Sequence, residues 1–223
     1  LFQITNAYAT FVNGGKKITP VLIERIQDRR GKTIFNSDNR DCIGCDRYSE
    51  TETIVPSIVN NYKQVVSKET AYQILSMLEG TIQRGTGKKL KDLKVPLAGK
   101  TGTTNDNYDA WFIGSTSNLV IGVYIGFDNP KTLGRYETGS KVALPIFKNF
   151  IKKALYKDEF KPFLIPEEIF FAAIDYNTGK REKFSNPDSI VEAFKLSDIN
   201  RMKNNNLGKN TNNNSLVKFR QFY

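Results

Sequence analysis

The 223 residues include 33 Lys and Arg against 23 Asp and Glu, a formal net charge of +10, and no histidine at all. Lack of histidine excludes Ser-His-Asp triads, Cys-His pairs and His-ligated metals from this sequence, leaving lysine, hydroxyls, carboxylates and backbone for any chemistry. Hydrophobic residues make up 39%, ordinary for a globular core, and no apolar run approaches the ~20 residues of a spanning helix.

The chain opens with LFQITNAYATFVNGG, which has no initiator Met or signal-like pattern and reads as the middle of a helix. The sequence is therefore expected to come from a longer protein. Ile4, Ala7, Tyr8 and Phe11 fall at helical spacing, and Gly14-Gly15 end that run. KITPVLIERIQDRRGKTIF reads as a hairpin, with Val21, Ile23 and Ile26 entering the DRRG turn and Thr33-Ile34-Phe35 returning. Residues 36–62 are polar and irregular, a surface excursion holding Cys42 and Cys45. Ser67 can cap a helix whose apolar face is Ala71, Ile74, Leu75, Leu78 and Ile82, stopping at Gly85-Thr86-Gly87.

Three strands are expected next, at about 94–103, 109–116 and 119–127, joined by links short enough for antiparallel neighbours. Pro145 suits the start of a further helix striped by Phe147, Phe150, Ile151 and Ala154. IFFAAIDYNTGKR is strand-like with an Asn-Thr-Gly turn. Eight of the fifteen residues from 200 to 214 are Asn, a low-complexity composition that cannot bury a core. The order points to an α+β fold, one antiparallel sheet flanked by helices. Residues 1–155 are expected to belong to one domain, 156–199 to a C-terminal extension and 200–223 to an Asn-rich, disordered tail.

AGKTGT at 98–103 invites comparison with a phosphate loop, but that pattern needs Gly where Lys94 stands. It also needs strand-loop-helix, where this stretch reads as strand throughout. The better match is the K-T-G signature of penicillin-interacting serine enzymes. Its setting extends the match: RGTGKKL upstream, then PLAGKTGTTND, YDAWFIGST and LVIGVYIGFD. These stretches resemble the end of the transpeptidase domain of class A penicillin-binding proteins. ITNAYATFVNGG resembles the helix that follows the family's second motif, and TGSKVALPIFKNFI the helix that closes the domain. The likeness covers about residues 1–155, with weaker echoes to about 185.

The resemblance implies an enzyme that acylates a serine with a D-Ala-D-Ala stem peptide and passes the acyl group to an amine on a neighbouring stem. The residue types at 100–103 suit that chemistry. An exposed strand edge lets a peptide pair with its backbone. Lys100 offers a compact positive charge to the terminal carboxylate. Thr101 and Thr103 bring hydroxyl donors, and Gly102 removes a side chain where substrate approaches. The Thr103 N–H corresponds to one of the family's oxyanion-hole donors. The resemblance implies no cofactor and no metal. Its partners are peptidoglycan stem peptides and β-lactams rather than nucleic acid, on the periplasmic side of the inner membrane to which the parent is anchored. Trp111 and Phe112 read as core and cleft lining.

Two literal motif matches lack the right context. Ser37-Asp38-Asn39 spells S-D-N but lies in a polar turn downstream of the helix that should follow that motif. Ser215-Leu216-Val217-Lys218 spells S-x-x-K but comes after K-T-G, in the wrong order. The nucleophile, its lysine, the second motif and a glycosyltransferase domain are therefore expected before Leu1, and the chain alone is expected to be inactive. Cys42 and Cys45 form one C-x-x-C, open to a structural pair, half of a zinc site or a redox pair. Zinc takes about four ligands and would need two chains. The family's oxidising compartment favours a Cys42–Cys45 disulfide. The alternative function is an interaction module that binds zinc or a partner through this excursion.

Overall fold

The computed structural model describes residues 1–38, 40–45, 55–59, 62–155 and 160–198, together with the backbone of 216–217. Helix α1 (Phe2–Val12) ends as its glycines require. Gly14 and Gly15 adopt φ of 64° and 82°, and the Gly15 N–H donates to the Thr10 carbonyl at 2.8 Å. Strands β1 (Arg25–Gln27) and β2 (Thr33–Asn36) make an exposed antiparallel hairpin. Val21 and Ile23, expected to lead into it, lie before β1 and face solvent. Strands β3 (Cys42–Ile43) and β4 (Ser57–Ile58) pair in turn.

Helix α2 (Lys68–Gln83) starts at a Ser67 cap whose hydroxyl accepts from the Thr70 N–H. It buries Ala71, Tyr72, Leu75, Gly80 and Ile82, a wider band than one stripe, because it packs between two sheets. The first sheet has the order β5 (Ala98–Thr103), β6 (Ala110–Ser115), β7 (Val120–Ile125), all antiparallel. Its first strand is shorter than expected. Residues Lys88–Leu93 coil into tight helical turns to bury Leu90, and Lys94 closes them at φ 55°.

Helix α3 (Ala143–Ala154) lies on β6 and β7, with Pro145 in its first turn where no N–H is needed. Phe112 and Phe147 meet edge to face, 4.9 Å between centroids, both fully buried among Ile82, Leu90, Leu144 and Ile151. Gly114 makes room for them, since a Cβ there would lie 2.5 Å from the Phe147 ring. The buried face of α3 is therefore Ala143, Leu144, Phe147 and Ile151, whereas Phe150 and Ala154 of the expected stripe are exposed.

The second sheet pairs β8 (Ile169–Asp175) with β9 (Ser189–Lys195) over seven residues, and β10 (Leu216–Val217) joins β8. It packs on α2 through Tyr72, Leu75, Ile169 and Ala193. Arg84 pairs with Glu192, and Lys195 Nζ donates to Thr70 Oγ1 at 2.6 Å. Residues of the 160–198 stretch, Phe163, Ile169 and Ala193, thus share a core with α2. The fold class is α+β, but the strands among the described residues form four small antiparallel sheets rather than one. Residues 199–215 and 218–223, with the whole Asn-rich stretch, Ser215 and Lys218, lie outside the described residues.

Candidate active site

Lys100, Thr101, Gly102 and Thr103 occupy consecutive positions on β5, which pairs only with β6 among the described residues. The register sets Lys100 opposite Ile113, Thr101 opposite Phe112, Gly102 opposite Trp111 and Thr103 opposite Ala110. Ala98 and Gly99 are buried, while Lys100 and Thr103 are exposed. The cause is α2, whose Thr81 hydroxyl donates to the Gly99 carbonyl and so shelters the start of the strand. Beyond Gly99 the strand runs clear of it.

Parity then decides what the open edge offers. Alternate residues of a strand send their backbone groups to opposite sides. The Thr104 N–H donates to the Asp109 carbonyl at 3.1 Å, on the β6 side, so the even positions face β6. The backbone N–H and C=O of Thr101 and Thr103 therefore face the open edge, as the Gly99 carbonyl does. Side chains alternate too, with Thr101 and Thr103 on one face of the sheet and Lys100 and Gly102 on the other. Lys100 reaches back to the edge, where its Nζ donates to the Thr101 carbonyl at 2.8 Å.

Neighbouring segments hold each group. Thr101 Oγ1 lies 2.7 Å from Thr86 Oγ1, and Thr103 Oγ1 accepts from the Gly139 N–H at 3.0 Å. A Cβ on Gly102 would come within 3.1 Å of Trp111 Cβ. Trp111 leans on Tyr124 at 4.6 Å between centroids, and the Tyr124 hydroxyl donates to Asp109 at 2.9 Å. Phe112 is fully buried, Trp111 only partly. Thr86 and Gly139 have no role assigned from the sequence, although both lie in stretches that carry the resemblance, RGTG and TGSK. Two hollows of about 430 and 470 Å³ lie elsewhere, one beside α1 and one between Lys88 and Lys148.

The remaining candidates sit apart from β5. Ser37 closes the first hairpin by donating to the Glu24 carbonyl at 3.1 Å. Asp38 pairs with Arg40 at 2.6 Å, and that hydrogen-bonded guanidinium holds its carboxyl down at about 2. Asn39 is outside the described residues. Cys42 and Cys45 are joined as a disulfide with Cα atoms 5.6 Å apart. Their sulfurs are bonded to each other, so neither is a free thiolate for a metal.

Residues 1–152 match the family described as penicillin binding protein transpeptidase domain. The chain belongs to the penicillin-binding protein transpeptidase family. The family match runs from α1 into α3, so β8 and β9 lie beyond it. Penicillin-binding protein 1A of Rickettsia conorii is 42% identical over 98% of this chain and 28% of its own length. Penicillin-binding protein 1A of Pseudomonas aeruginosa is 33% identical over 88% of this chain and 28% of its own. The crystal structure of penicillin-binding protein 1A from Haemophilus influenzae superposes with a TM-score of 0.68 at 33% identity, covering 86% of this chain and 31% of that one. The chain thus spans less than a third of these relatives.

Proposed function

We propose that this chain forms one wall of a peptidoglycan D,D-transpeptidase site, with Lys100, Thr101, Gly102 and Thr103 as that wall. The observation that carries the reading is the open β5 edge, which carries the backbone groups of Thr101 and Thr103 and where the Lys100 ammonium donates to the Thr101 carbonyl. A stem peptide laid along this edge pairs with the strand backbone. Its terminal carboxylate meets the ammonium and the two hydroxyls, and the Thr103 N–H takes the oxyanion that forms on attack. A serine oxygen bonds to the penultimate D-Ala carbonyl carbon, the peptide C–N bond breaks and the terminal D-Ala leaves. The amine of a second stem then displaces the serine. A β-lactam, which also presents a carboxylate beside an acyl group, is captured the same way.

The serine and its activating lysine belong, in this reading, to the part of the transpeptidase that precedes Leu1 in a longer protein. That protein would be anchored in the inner membrane and work on its periplasmic side. A wall of donors stabilises a transition state but forms no covalent bond. The test is incubation of the 223-residue chain with fluorescent penicillin, followed by denaturing electrophoresis beside a complete transpeptidase. The expected result is no label on this chain and a stoichiometric label on the complete protein. A heat-stable label on the chain would overturn the placement of the nucleophile.

A further inference from the structure

Each of the two threonines on β5 has a polar partner behind its hydroxyl. The Gly139 N–H donates to Thr103 Oγ1 at 3.0 Å. An amide nitrogen can only donate, so the Thr103 hydrogen is free to point elsewhere, towards the open edge. Thr86 Oγ1 stands 2.7 Å from Thr101 Oγ1, where either oxygen could donate. A bound carboxylate removes that ambiguity, because it accepts only. Thr101 must then donate forward and accept from Thr86.

Both partners are fixed in place. Gly85 and Gly87 N–H groups donate to the Thr81 carbonyl at 3.1 and 3.0 Å, folding the Gly-Thr-Gly turn onto the end of α2. A Cβ on Gly87 would lie 2.6 Å from the Ile82 side chain, and one on Gly139 would run into the Gly102 and Trp111 carbonyls. Thr81 of that same helix end also bonds the Gly99 carbonyl, two residues before Thr101. The turn that carries Thr86 and the strand that carries Thr101 are therefore both tied to Thr81.

We propose that Thr86 and Gly139 are positioning residues that turn the Thr101 and Thr103 hydroxyls into a pair of outward donors, selecting a terminal carboxylate over a carboxamide. Two facing donors need two acceptor atoms. A carboxylate supplies them, whereas a carboxamide turns an NH₂ donor against one hydroxyl. The inference rests on the reading of β5 as the carboxylate-binding wall, and the test separates the two.

The full-length transpeptidase is assayed for kcat/KM with two acyl-donor peptides, one ending in D-Ala-D-Ala carboxylate and one in the carboxamide. Thr86→Val is expected to lower the rate on the carboxylate about 5-fold, the scale of one neutral hydrogen bond, while hardly changing that on the carboxamide. Thr86→Ser, which keeps the hydroxyl, should recover most of the loss. An equal loss on both peptides, or no loss, would overturn the positioning role if Thr101→Val still slows the carboxylate peptide. No effect of Thr101→Val would remove the carboxylate-binding reading and this inference with it.

Discussion

Lys100 stands where β5 leaves the shelter of α2, exposed to solvent. Its ammonium donates to the neighbouring Thr101 carbonyl. In the full-length protein Lys100→Ala should slow acylation by labelled β-lactam about 10- to 100-fold, the range of one charge-assisted hydrogen bond at about 1.5–3 kcal/mol. The melting temperature should stay unchanged, because no buried contact is lost. An unaltered acylation rate would remove Lys100 from the site. Thr101 and Thr103 were legible as donors from residue type alone. The direction in which their hydrogens point was not, because that depends on Thr86, 15 positions away, and on Gly139, 36 positions away.

At the scale of elements, α1, α2, α3 and the β5–β6–β7 sheet follow from periodicity, caps and turn residues in the sequence. Where the elements depart from local reading, packing is the reason. Leu90 is buried by coiling Lys88–Leu93, whose left-handed cap Lys94 falls at the expected start of β5. On α3 the apolar spacing fits two faces, and Phe112 selects the one that carries Phe147. That choice makes a sharp prediction for stability. Phe147→Ala should cost about 3–5 kcal/mol, read as a fall in the denaturation midpoint of the chain, since it empties the centre of the core beneath the site. Phe150→Ala, on the exposed side of the same helix, should cost well under 1 kcal/mol. Equal losses would mean that α3 is seated the other way round.

Across the whole molecule α2 is the shared member, packed on the β5 sheet through Ile82 and on the β8–β9 sheet through Tyr72 and Leu75. Burial between its neighbours also raises Glu79 to about 7. A carboxyl raised on folding holds a proton that the unfolded chain has already released, so stability is highest below the ordinary glutamate value and is lost as pH rises through about 7. Glu79→Gln should flatten that slope and stabilise the protein at pH 8 by on the order of 1–3 kcal/mol, measured by denaturant titration at several pH values. A slope unchanged by the substitution would show that Glu79 is solvated after all.

By itself the sequence determined the chemical vocabulary of this protein. Lys100, Thr101, Gly102 and Thr103, the flanking stretches that mark the family, the helix caps and the exclusion of histidine chemistry are all local or compositional, and local order is what a chain displays without folding. Context and order along the chain are also the grounds on which the S-D-N and S-x-x-K spellings are set aside in this reading. Only the tertiary structure decided which edge of β5 is open, which backbone groups line it, and that the β8–β9 sheet packs against α2. Those outcomes depend on contacts between residues far apart in sequence. Such contacts are settled by packing and hydrogen-bond satisfaction over the whole fold rather than by the preferences of any one segment.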